Sequence, residues 1–152
     1  VKAVVARVAR AAVTLRDGAH AGQRRETGRG LLVLLGVGPA DDERSAKKLC
    51  DKILALRIFA NADGKFDRSV LDESGEILLV SQFTLYASLK GGRRPDFTGA
   101  ARPETAKPLY ERVAALLSAS GLAVKTGEFG ASMSVESDND GPVTIAMDTD
   151  LF

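Results

Sequence analysis

Two short segments hold the residues whose types could do chemistry. The first is Ser81-Gln82-Phe83-Thr84-Leu85-Tyr86, which follows four apolar residues, Ile77 to Val80. Hydroxyls and an amide therefore arrive at the end of a buried-looking strand, where polar groups must find partners or serve a ligand. The residues alone leave both roles open: capping the next loop, or lining a pocket. The second segment is Asn139-Asp140-Gly141-Pro142-Val143-Thr144. By composition it is a turn opening a strand, with its X-Pro bond in the commoner trans form.

The rest of the inventory is sparse. The chain carries one histidine, His20, and one cysteine, Cys50. A Cys/His metal site needs several such ligands, and a Ser-His-Asp or Cys-His device would have to use His20. His20 sits among Gly18, Ala19, Ala21 and Gly22, a poor setting for an oriented base. Cys50 falls on the apolar stripe of an expected helix and reads as core; alone it forms no internal disulfide. An enzyme with this inventory is expected to work without imidazole, metal or organic cofactor.

Bulk properties narrow the class. At 152 residues the chain fits one domain, 1–152, and its 45% hydrophobic and 27% charged content is that of an ordinary globular protein. No apolar run approaches the ~20 residues that span a bilayer, so no membrane role is expected. The opening segment has Lys2, Arg7 and Arg10 with no acid before Asp17, faintly like a transit peptide. Its period-two pattern of Val4, Ala6 and Val8 favours an edge or half-buried strand instead. With no secretory signal visible, a cytoplasmic location is expected.

Net charge is +1, which gives no broad basic field for holding a long duplex. Positive charge is local. Lys90, Arg93, Arg94 and Arg102 stand against Asp96 alone, and Arg24, Arg25 and Arg29 against Glu26. Such clusters suit a small anion or one end of a nucleic acid, or are simply solvated loops.

The positioning elements can be read along the chain. Val4–Val8 and Ala12–Leu15 read as strands, followed by the Asp17-Gly18 turn. Leu31–Val37 is apolar on both faces and reads as a covered central strand. Asp41 or Asp42 caps a helix whose stripe is Ala46, Leu49, Cys50, Ile53, Leu54 and Leu56. Asn61 to Gly64 is a turn, and Glu76–Leu85 another strand. Residues 88–101 form a long ordered loop of the functional kind. A second helix carries Leu109, Tyr110, Val113, Leu116 and Leu117; Pro103 suits its start, but Pro108 argues for a regular part nearer Lys107. Leu122–Thr126, Phe129–Glu136 and Pro142–Thr149 read as strands, with a turn at Ser137 to Gly141. The order predicts an α/β domain, a sheet covered by two helices.

SQFTLYA and NDGPVT, in this order and separation, resemble the two signature motifs of the D-aminoacyl-tRNA deacylase family. The similarity extends over the whole chain, through Arg7 to Ala11, Gly28 to Val33, Lys52 to Phe59, Arg93-Arg94-Pro95, Arg102-Pro103-Glu104, and Phe129-Gly130-Ala131 with Met133. Asp96 departs from the small polar residue expected after Arg93-Arg94-Pro95, which bears on loop detail.

The resemblance implies a barrel-like sheet with two main helices, and a homodimer with its sites at the subunit interface. It implies a Gly141-cis-Pro142 element inserted from one subunit into the other's site, with Ser81, Gln82, Phe83 and Thr84 lining the same pocket from the home subunit. Hydrolysis of the ester at the 3′ terminal adenosine of D-aminoacyl-tRNA, and of glycyl-tRNA, is the implied reaction. Main-chain N–H groups near Gln82, Phe83 and Thr84 would hold the carbonyl oxygen as it gains charge. Thr84 is either a positioning hydroxyl or a nucleophile, and as a nucleophile it lacks an adjacent base. The 2′-hydroxyl of the terminal adenosine is implied as an assisting group. Phe129 and Met133 form the adenosine pocket or pack the core, and Arg7 braces Gly141-Pro142 or simply lies on a strand. The rival reading is a non-catalytic module that binds an RNA end or a nucleotide through the Lys90 to Arg102 loop.

Overall fold

Apolar alternation on both faces of one sheet sets the architecture. The computed structural model describes residues 1–152, in the order β1 (Lys2–Leu15), β2 (Arg24–Thr27), β3 (Gly30–Gly36), α1 (Glu43–Ala55), β4 (Phe59–Ala60), β5 (Phe66–Arg68), β6 (Glu76–Ser81), a 3₁₀ turn (Phe83–Tyr86), α2 (Pro103–Ser118), β7 (Val124–Thr126) and β8 (Met133–Asp148). Six strands form one curved, barrel-like sheet in the order β2-β1-β3-β6-β7, with β8 on the free edge of β1. β4 and β5 make a separate small hairpin.

β1 is one strand of 14 residues rather than the two expected, and it is not an edge. It pairs with β3 and then β2 on one side and with β8 along the other. Its periodicity breaks at two register shifts, between Ala6 and Val8 and between Val8 and Arg10. Ala3 and Val5 face the helices, whereas Ala6 and Val8 face the inside of the curve. After the shifts, Ala11, Val13 and Leu15 stay on the inner side, so the odd positions have changed face.

β3 and β6 run parallel, registered from Gly30 opposite Glu76 to Leu35 opposite Ser81. Both are covered on both faces, as the unbroken apolar run of β3 predicted. Ile77 and Leu79 turn to the helices; Leu78 and Val80 turn inward.

Asp42 caps α1, accepting from Ser45 N–H at 2.8 Å. The helix then buries Ala46, Leu49, Cys50 and Ile53 and stops at Ala55, so Leu56 lies beyond it. α2 starts at Pro103 and runs through Pro108, against the expectation of a start near Lys107. Pro108 lies on the exposed face, where the carbonyl freed by its missing N–H meets solvent. Val113 and Leu117 pack inward against α1 and the sheet, each such burial contributing roughly 1.5–3 kcal/mol.

Three further expectations change. β6 ends at Ser81, and Phe83 to Tyr86 form a 3₁₀ turn although Phe83, Thr84 and Tyr86 are strand-forming types. β7 is confined to Val124–Thr126. The two last expected strands are one, Met133–Asp148, so the chain does not reverse at Ser137 to Gly141. Ala6 pairs with Thr144 and Val8 with Asn139, leaving Asp140 to Val143 as an excursion opposite Arg7 alone.

Candidate active site

The parallel pairing of β3 and β6 brings their carboxyl ends to one edge, where ligands of α/β sheets commonly bind. A cleft of about 790 Å³ opens there, within the range of small-molecule sites. Its walls come from Leu35 near the end of β3 and Val37 after it, from Val80 to Phe83, from Phe97, Thr98 and Arg102 ahead of α2, from Tyr110 on α2, and from Phe129 before the last strand and Met133 at its start. A second concavity of about 340 Å³ lies between β1, β2 and β8, but its Arg24 is already paired with Glu136 and Glu26.

Hydrogen bonds fix the wall carrying the first motif. The Gln82 N–H donates to Leu35 O at 2.7 Å and ties the end of β6 to β3. The chain then tightens into the 3₁₀ turn, with Leu85 N–H donating to Gln82 O at 3.2 Å. Ser81, Gln82 and Phe83 line the cleft; Thr84 stands just behind, half-buried, with its hydroxyl accepting from the Gln82 side-chain amide. Phe83 is 58% exposed and meets the edge of Phe97, ring centroids 5.1 Å apart. The turn lies close over Gly36, where a Cβ would stand 3.0 Å from Gln82 O and 3.2 Å from Leu85 Cβ, so a larger residue would press on it. Behind it the Tyr86 hydroxyl donates to Asp41 at 3.1 Å; burial, with Asp41 beside it, pushes the phenol up and keeps it a neutral donor.

Tyr110 forms part of the floor, a contribution sequence reasoning assigned to the core. A buried tyrosine hydroxyl needs a partner, which was the available signal. It donates to Leu79 O at 2.9 Å, burial pushes its phenol up, and its ring lies 5.8 Å from that of Phe129. Phe97, which the sequence places only in the 88–101 loop, and Arg102, one of the local cationic cluster, both reach the cleft. Phe129 and Met133 each line the cleft and also pack against a core cluster.

The second motif lies elsewhere on this chain. Gly141 and Pro142 are exposed and do not line its own cleft. The bond joining them is cis, against the trans turn that composition favoured. Arg7 holds the excursion: its Nε donates to Asp140 O at 3.0 Å and its Nη1 to Ile58 O at 2.7 Å, with the guanidinium 5.5 Å from the Phe66 ring. The β4–β5 hairpin, which no periodicity announced, thus supports Arg7 from behind. Asn139 closes the loop, its Oδ1 accepting from Val143 N–H at 3.1 Å and its Nδ2 donating to Thr144 at 2.8 Å.

The two remaining reactive types stand apart. His20 is exposed and 3.3 Å from Glu128, outside the cleft. Cys50 is buried, and burial with Asp51 nearby pushes its thiol up to about 12, so it is no nucleophile at neutral pH. No three His, Cys, Asp or Glu side chains gather as a metal-binding group.

What the arrangement offers is a mostly apolar cleft with Ser81, Gln82 and Phe83 on one wall, and a braced main-chain excursion that lies outside it. Against known proteins, residues 4–148 match the family described as D-Tyr-tRNA(Tyr) deacylase. A D-aminoacyl-tRNA deacylase of Roseiflexus castenholzii is 54% identical over 151 residues, 99% of this chain and 94% of that protein. One from Deinococcus radiodurans is 52% identical over 147 residues, 97% of this chain and 99% of that protein. Among solved structures, a c-Myc DNA unwinding element binding protein superposes with a TM-score of 0.88 at 42% identity, over 97% of this chain and 98% of that one. A probable eukaryotic D-amino acid tRNA deacylase shares the fold, with a TM-score of 0.81 at 16% identity, over 96% and 97% of the two chains. With nearly its whole length matched at this identity, the chain belongs to the D-Tyr-tRNA(Tyr) deacylase family.

Proposed function

We propose that this chain is a D-aminoacyl-tRNA deacylase working as a homodimer in the cytoplasm, and that it rejects L-aminoacyl esters by a main-chain wall lent across the interface. The carrying observation is the division of labour between two regions. The cleft has donors but no chiral wall of its own, and the Gly141–Pro142 excursion is exposed, braced and unused within its own chain. A second copy can present that excursion to the cleft, as a two-fold dimer makes any such contact twice.

The chemistry follows from the donors. The aminoacyl ester is already activated, so modest stabilisation suffices. Of the three N–H groups expected to hold the carbonyl oxygen, that of Gln82 is occupied by Leu35. Phe83 and Thr84 N–H precede the first internal bond of the 3₁₀ turn and have no acceptor within it. One such donor has been worth roughly 2.7–4 kcal/mol of transition-state stabilisation in an acyl-transfer site. The terminal adenosine fits against Phe129 and Met133, and its 2′-hydroxyl supplies the assisting group that this chain lacks.

Thr84 is a positioning residue in this scheme, because its hydroxyl is engaged by Gln82 and lies behind the wall. Thr84→Ala should lower kcat/KM by no more than about tenfold, whereas loss of a nucleophile costs on the order of 10⁴-fold or more. Single-turnover hydrolysis of D-tyrosyl-tRNA distinguishes the two.

Selectivity follows from a wall of main chain. It admits an amino group and a Cα hydrogen and leaves no room for an L side chain, which is rejection by clash. The D side chain points outward, and glycine has nothing to reject. D-tyrosyl- and glycyl-tRNA should both be cleaved, with L-tyrosyl-tRNA slower by on the order of 100-fold or more. Equal inertness toward glycyl and L esters in a deacylation assay would contradict the steric wall. The rival, a nucleic-acid binder without turnover, draws on the likeness to the DNA unwinding element binding protein. A binder would protect D-aminoacyl-tRNA from spontaneous hydrolysis, where the enzyme accelerates it.

A further inference from the structure

We infer that residues 89–95 form a rigidly anchored cationic tongue that grips the RNA phosphates immediately 5′ of the terminal adenosine. The inference rests on the deacylase reading and adds to it a second, electrostatic grip outside the cleft. Ser88 and Asp96 pair as an isolated antiparallel bridge, exchanging hydrogen bonds of 2.8 and 2.9 Å. The bridge pins both ends of Leu89-Lys90-Gly91-Gly92-Arg93-Arg94-Pro95, a segment with three cations and no acid.

The tongue is joined directly to the cleft. Phe97, one residue beyond the bridge, lines the cleft and packs edge-on against Phe83. Thr98 and Arg102 line it too, so positive charge continues from the rim of the cleft out along the tongue. At the tip, a Cβ on Gly91 or Gly92 would meet nothing within 4 Å, so the backbone stands clear of the body.

The cations are also unengaged. Lys90, Arg93, Arg94 and Arg102 are exposed, and no ion pair of the chain uses any of them. Arg24, Arg29, Arg57, Arg68 and Arg112, by contrast, each hold a carboxylate. The one acid beside the tongue, Asp96, is engaged elsewhere: its carboxylate accepts from Thr98 N–H and Oγ1, both at 2.9 Å, which holds its pKa below the usual carboxylate range. Free cations beside a site for an esterified 3′ end match a phosphodiester backbone that must leave that site in a single direction. A lone small anion would need only one of them.

The test compares two esters of the same D-amino acid, one on tRNA and one on adenosine alone. In the triple variant Lys90→Gln, Arg93→Gln, Arg94→Gln, the ratio of kcat/KM on tRNA to that on adenosine should fall by about tenfold or more. The dependence of the tRNA reaction on log salt should become shallower by about 1 for each phosphate the variant no longer holds. Arg93→Lys with Arg94→Lys should restore most of the ratio, because phosphate attraction needs charge rather than a guanidinium fork. An unchanged ratio and salt slope in the glutamine variant, with the parent enzyme active on both esters, would overturn the tongue and leave the deacylase reading standing. A parent inactive on both would overturn both.

Discussion

Gly141→Ala should lower kcat/KM on D-aminoacyl-tRNA by on the order of 100-fold while the chain stays folded. Gly141 has φ +134°, a conformation side chains rarely adopt. A methyl there would stand 2.7 Å from Val143 Cγ2, 3.0 Å from Val143 N and 3.1 Å from Arg7 Nη2. Something must move, and all three neighbours belong to the device that holds the excursion in place. The stability cost is about 1–3 kcal/mol for backbone strain, against roughly 5–15 kcal/mol available to a native domain. Circular dichroism should therefore report a native fold, with the displaced wall felt only in the lost activity. Activity within twofold of the parent would mean that the excursion has no part in hydrolysis.

Gly30→Ala should act on the scaffold instead. Its added Cβ would lie 1.9 Å from Glu76 O and 2.6 Å from Glu76 N, both backbone atoms of the paired strand. No rotamer change relieves such a clash, so β3 and β6 must separate where their register begins. A cost of about 3 kcal/mol or more is expected. For a chain of this size that lowers Tm by roughly 6–12 °C. Because β6 carries Ser81 and Gln82 to the cleft, surviving folded protein should also be slower. A Tm within about 2 °C of the parent in differential scanning calorimetry would contradict the close approach.

Much of this frame is legible in the residues, and the exceptions share a cause. The apolar run of Leu31 to Val37 needs cover on both faces wherever it lies, so its place in the sheet could be read locally. So could α1, whose cap at Asp42 and stripe from Ala46 to Ile53 are fixed by neighbours in sequence. The excursion at Asp140 to Val143 could not. Asn, Asp, Gly and Pro announce a change of backbone direction, but whether the chain reverses depends on its partner, and β1 keeps pairing on both sides of the break. Likewise Phe83, Thr84 and Tyr86 have strand-forming side chains, and the tie from Gln82 to Leu35 precedes their turn into 3₁₀ geometry. Strands of two or three residues, such as β4 and β5, are too short for any period to register. Of the site itself, residue types single out the two segments, and the family resemblance supplies the roles of their residues. That Tyr110 and Phe97 line the cleft is seen only in the fold, since no local pattern separates a cleft wall from a core face; Arg102 is marked in the sequence by its place in the cationic cluster.

Subunit complementation tests the shared site most directly. Ala131→Trp fills the home cleft, which Ala131 lines, and Gly141→Ala spoils the excursion; each alone should give an inactive dimer. Unfolded and refolded together in equal amounts, the two variants should form mixed dimers in which an intact cleft meets an intact excursion. About half the dimers would be mixed, each with one working site of two, so activity should return to roughly one quarter of the parent value. Activity that stays at the mean of the two separate variants, with mixed dimers present by mass spectrometry, would contradict a wall lent from one subunit to the other.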